Sequence, residues 1–109
     1  MSQDTADIVG STGAQFTITV SAGNVRRAKL EAASQPDQSL TVVGNVVSIP
    51  PLPAGDSQVE LQIVWAPGDT GATIDVGTVT TGTATAVDPK PTIESSSPIA
   101  FVELFAVGE

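Results

Sequence analysis

The chain has 109 residues, 40% hydrophobic and 15% charged, with twelve acidic side chains against four basic ones and a net charge of -8. That length supports one domain with a modest core, and the composition excludes a disordered chain. The acid excess argues against nucleic acid or an anionic membrane as partner, because both need a basic footprint on the protein.

In chain order, residues 1 to about 13 are polar and glycine-bearing, which predicts a flexible N-terminal tail or a loosely held first strand ahead of a single domain over 14–109. No basic stretch followed by an apolar one occurs there, so no signal peptide is expected. No apolar run reaches membrane-spanning length, so a soluble domain is expected, with no compartment assigned. In Gln15 to Ser21, Phe16, Ile18 and Val20 alternate with Thr17, Thr19 and Ser21, the pattern of a half-buried strand. Residues 25–33 carry good helix formers behind a possible Asn24 cap. Yet Ala28, Leu30 and Ala32 alternate with Arg27, Lys29 and Glu31, and the strand reading is preferred.

Residues 34–38 read as a turn containing Pro36. Leu40–Val43 and Val46–Ile49 flank Gly44-Asn45, a two-residue hairpin signal, since primed turns need positive φ. Pro50, Pro51 and Pro53 then predict a stiff surface loop to Ser57. Gln58 to Ala66 is the clearest strand. Val59, Leu61, Ile63 and Trp65 share one of its faces, and Trp65 is the expected inter-sheet core residue. A turn at 67–71 precedes strands at 72–80, 83–87 and 92–94. The threonine-rich stretch 78–85 reads as an exposed edge.

Ile99 to Val107 is apolar except at Glu103, which predicts a strand covered on both faces or packed on a partner, with a terminal helix as the alternative. Eight or nine short strands at this spacing define an all-β fold: an antiparallel β-sandwich, immunoglobulin-like or jelly-roll. The four aromatics all fit positions on the apolar side of their strands.

The chain has no His, no Cys and no Tyr. Ser-His-Asp and Cys-His triads therefore cannot be assembled, and zinc, copper and non-haem iron sites lose their usual ligands. Gly55-Asp56-Ser57 resembles the nucleophile block of one lipase family in letters only. It lacks the following Leu, and no His exists to activate Ser57. Glu60 and Glu103 are the acids set within apolar strands, and carboxylate pairs can serve glycosidases. Their expected role is solvated surface charge, and no enzyme is expected.

Two kinds of binding site are therefore candidates. If successive strands run antiparallel, the loops bearing Asn24, Asn45, Asp69 and Asp88 gather at one end of the sandwich. Those oxygens could hold calcium, the one cofactor considered, or with it a carbohydrate. The same residue types are also ordinary turn formers. The other candidate is an interaction surface comprising Ile99, Phe101, Glu103 and Phe105, with Arg27 and Lys29 as a docking stripe or as charges guarding an edge. The leading expectation is a non-enzymatic structural or protein-interaction module, part of a larger assembly or homo-oligomer. A carbohydrate- or calcium-binding module is the alternative.

Overall fold

The computed structural model describes residues 5–32, 35–87, 92–95 and 98–107. Among them the chain forms eleven strands and no helix: β1 (Thr5–Ser11), β2 (Gln15–Val20), β3 (Asn24–Ala32), β4 (Gln35–Ser39), β5 (Val42–Val43), β6 (Val46–Ile49), β7 (Gly55–Val64), β8 (Gly71–Thr81), β9 (Ala84–Ala86), β10 (Thr92–Glu94) and β11 (Ile99–Val107). A six-stranded sheet has the order β4-β3-β7-β11-β1-β9, and a five-stranded sheet the order β10-β8-β2-β6-β5. Neighbours are antiparallel, except that β1 runs parallel to β11. The result is a β-sandwich.

Period-two alternation places the core between the sheets. The six-stranded sheet contributes Ala6 and Ile8 from β1, Val59, Leu61 and Ile63 from β7, and Ala100, Val102 and Leu104 from β11. The five-stranded sheet answers with Phe16, Ile18 and Val20 from β2, Val47 and Ile49 from β6, and Ile74 from β8. β-branched and γ-branched aliphatics make up most of this interior, with alanines filling in between, which suits the narrow space between pleated faces.

Some expectations change here and one, the strand at 25–33, holds. Residues 5–11 are an interior strand paired on both edges, with Ala6 and Ile8 buried, because the parallel partner β11 needs their backbone groups. Residues 25–33 do form a strand through Ala32, since inter-sheet burial of Val25, Ala28 and Leu30 outweighs local helix propensity. The stretch read as a turn around Pro36 contains edge strand β4, where a missing N–H costs no ladder bond. The 50–54 loop is not wholly on the surface. Leu52 is buried, and its N–H donates to the Ala14 carbonyl while its own carbonyl accepts from Gly13.

Trp65 is not an inter-sheet residue. β7 ends at Val64, and the indole is half-buried beside Gly23 at the rim of the core. The Gly44-Asn45 hairpin forms as expected, with Gly44 at φ 62°. Thr78, Thr80 and Thr81 are exposed as expected.

Candidate functional site

β11 is the centre of the six-stranded sheet rather than its margin. β7 saturates one of its edges and β1 the other. Its near-continuous apolar run has a simple cause: one side of the strand lies in the core, and the other lies on the sheet's outer face. Ala100, Val102 and Leu104 point inward, whereas Ile99, Phe101, Glu103 and Phe105 are half-buried on the face turned away from the second sheet. Both faces are therefore apolar, but only the inner one is covered by the second sheet. From Phe101 to Ala106 both backbone edges of β11 are taken up by β7 and β1, which leaves no edge there for another chain to pair with.

The ladder registers set the outer face out in rows. Phe101 stands between Glu60 of β7 and Thr5 of β1, Glu103 between Gln58 and Asp7, and Phe105 between Asp56 and Val9. Ile99 and Phe101 on one side, and Phe105, Val9 and the 59% exposed Val107 on the other, thus form two apolar groups on β11 and β1, divided by the polar row Gln58–Glu103–Asp7. The Glu103 carboxylate within that row is held in place: the Gln58 side-chain amide donates to its Oε2 at 2.7 Å. Glu103 is thus an outward-facing acid on a strand paired there with both β1 and β7.

The edge-guarding reading does not hold for Lys29, which is paired with both β4 and β7, whereas Arg27 is paired with β7 alone among the described residues. Lys29 Nζ reaches Glu31 at 3.4 Å, Asp37 at 3.5 Å and Glu60 at 4.0 Å. The hydrogen bond to Glu31, and then the charges of Glu31, Glu60 and Asp37, raise the Lys29 pKa above the ordinary lysine value. Lys29 is thereby committed to its own sheet and adds little free positive charge. Beside these residues a shallow groove of about 460 Å³ is lined by Glu31, Asp37, Asp56, Gln58 and Glu103, with Ala32 and Ser57 at its floor. Acids dominate both the groove and the row between the two apolar groups.

Ser57 sits at the start of β7 on the buried side, 5% exposed, and its hydroxyl has no hydrogen-bond partner. It is shielded from solvent, unlike a reactive nucleophile.

Three of the four candidate calcium positions come to one end of the sandwich. The Asn45 carbonyl accepts from the Val20 N–H at 3.0 Å, and the Gly44 carbonyl accepts from Val25, next to Asn24. Asp69 joins that end through Ser95, whose hydroxyl donates to the Asp69 carbonyl, and the Ser21 N–H donates to the Thr73 carbonyl. The side chains of Asn45 and Asp69 are already engaged in turn chemistry. Asn45 Nδ2 donates to the Val20 carbonyl at 2.6 Å, and Asp69 Oδ2 accepts from the Ala66 N–H at 2.7 Å. Asn24 is exposed, and Asp88 lies outside the described residues. Among the described residues, no group of three or more Asp or Glu side chains is gathered closely enough to hold a metal ion.

Of the three phenylalanines only Phe16 is buried, so the expectation of core positions fails for Phe101 and Phe105. Glu103 carries the available signal, because an acid in register with two Phe implies an outward-facing row. Comparison with protein-family models, curated proteins and solved structures finds no match to this chain.

Proposed function

We propose that this chain is a non-enzymatic β-sandwich module that docks another protein on the outer face of its six-stranded sheet. The observation that carries this reading is the half-buried row Phe101–Glu103–Phe105, flanked by Val9 and Ile99, on the face turned away from the second sheet, on a strand paired with β7 and β1. Half-buried aromatics grouped on a flat face, with polar groups around them, are the anatomy of an interface core and rim. The calcium alternative draws less support, because Asp69 and Asn45 spend their side chains on backbone groups of nearby loops.

Strand connectivity also supports an immunoglobulin-like arrangement. β3, β7 and β11 form adjacent neighbours in one sheet as the C, F and G strands do, while β2 and β6 pair in the other as B and E do. In this reading β8 to β10 are an insertion between F and G.

Site-specific photo-crosslinking tests the docking face. A photoreactive phenylalanine analogue is placed at position 101 or, as control, at position 78 on the opposite sheet, in the cell that produces the protein. The expected result is a discrete protein adduct from position 101 and none from position 78. An adduct of twice the chain's mass would identify self-association. Adducts confined to position 78 would refute the assignment of the face.

A further inference from the structure

We propose, resting on the docking reading above, that the occupant is a basic segment of another protein whose side chains follow the pattern apolar–x–Lys/Arg–x–apolar in extended conformation. Its complement is the order Phe101–x–Glu103–x–Phe105 along β11. In a strand, residues two apart share a face and stand roughly 6–7 Å apart, so an extended partner lying along β11 repeats the same spacing. Its two apolar side chains then cover the phenyl rings, and the side chain between them meets Glu103.

Charge selects a cation for that middle position. Glu103 is pre-oriented by Gln58, and Asp7 stands in register beside it on β1. Asp56 and Glu31 border the adjoining groove of about 460 Å³, which Asp37 and Glu103 also line. The cations of β3 leave that field in place, because Lys29 is already shared among Glu31, Asp37 and Glu60, and Arg27 lies two rows away beside Gln62, with Arg26 exposed next to it at the bulge. A second copy of the chain is the wrong partner for the same reason. Its net charge is -8, and two such faces brought together would set carboxylates against carboxylates.

The test is a titration of the isotope-labelled full chain, followed by amide NMR shifts, with three synthetic nonapeptides. The first alternates Leu-Thr-Arg-Thr-Leu-Thr-Arg-Thr-Leu, the second replaces Arg by Glu, and the third keeps Arg but replaces Leu by Ser. The first should shift the amides of Val9, Phe101, Glu103 and Phe105 and leave Thr17 and Thr78 unmoved. It should bind at least tenfold more tightly than either counterpart, and less tightly as salt is raised. Glu103→Gln should weaken it by threefold or more, with the spectrum otherwise retained. Phe105→Ser should abolish it.

Equal binding of the Glu peptide overturns the choice of a basic partner, and equal binding of the Ser peptide overturns the apolar pattern. If either counterpart still binds on this face and is lost in Phe105→Ser, the docking reading survives while the proposed partner class fails. Absence of any shift with all three peptides overturns this proposal, and crosslinking from position 101 then decides the docking face separately.

Discussion

The two outer faces of this sandwich obey the same alternation and end in opposite conditions. On the five-stranded sheet, Thr17, Thr19 and Thr80 spend their hydroxyls on their own framework. Thr17 Oγ1 accepts from the Thr78 N–H at 2.8 Å, and the Thr80 and Thr19 hydroxyls donate to the carbonyls of Gln15 and Asp75. Those bonds accompany the irregular β2–β8 register, where shifts in pairing leave backbone groups for side chains to satisfy. On the six-stranded sheet the outward residues are phenyl rings, aliphatics and carboxylates, for which the backbone offers no such use. The threonine hydroxyls of one face are spent on its own backbone, although Val43 and Val79 stay exposed on that sheet, whereas the other face groups half-buried phenyl rings beside carboxylates. Outward alternation by itself therefore does not identify a binding surface; what matters is whether the outward groups are already employed.

The largest effect expected within this comparison lies between adjacent residues of β11. Leu104→Ala, which opens a void in the core, should lower the unfolding free energy by about 3 kcal/mol in urea denaturation. Phe105→Ser, one position along but facing outward, should cost less than about 1 kcal/mol. Equal costs would mean that the outer face is as structurally essential as the core, which would remove the argument for a free surface.

A smaller effect of opposite sign is expected at Ser57. Its buried hydroxyl has no partner, and an unsatisfied buried polar group costs about 1–3 kcal/mol. Ser57→Ala should therefore raise the urea midpoint, by about 1 kcal/mol in stability. A loss of stability would show that the hydroxyl is being used.

The smallest effect is electrostatic. The folded-state pKa of Lys29 is raised above its ordinary value of 10.5, so the stabilisation from its carboxylates is complete below pH 10.5. It is lost as pH rises through the higher folded-state value. Thermal melts across the alkaline range should show an additional decline above pH 10.5 in the native chain that is absent in Lys29→Met. Parallel curves would show that the exposed ion pairs contribute nothing measurable, a common outcome for surface pairs.

Much of the fold is legible in the sequence because period two is a local property. Phe16, Ile18 and Val20, or Val59, Leu61 and Ile63, declare a buried face without knowledge of any neighbour, and Gly44-Asn45 declares its hairpin. The absence of His, Cys and Tyr likewise restricts the chemistry through composition alone. Pairing order is not local. Nothing near Thr5 signals that it will lie parallel to Phe101, nearly the whole chain away, and that placement turns a tail-like segment into an interior strand. Nothing near Ile99 signals that its strand will be central rather than marginal. The sequence by itself determined the all-β class and the inward side of most strands, since those depend on side-chain alternation. Only the tertiary structure decided that Phe101, Glu103 and Phe105 stand together with Val9 and Asp7 on the face turned away from the second sheet, because that depends on which strands meet and in what register.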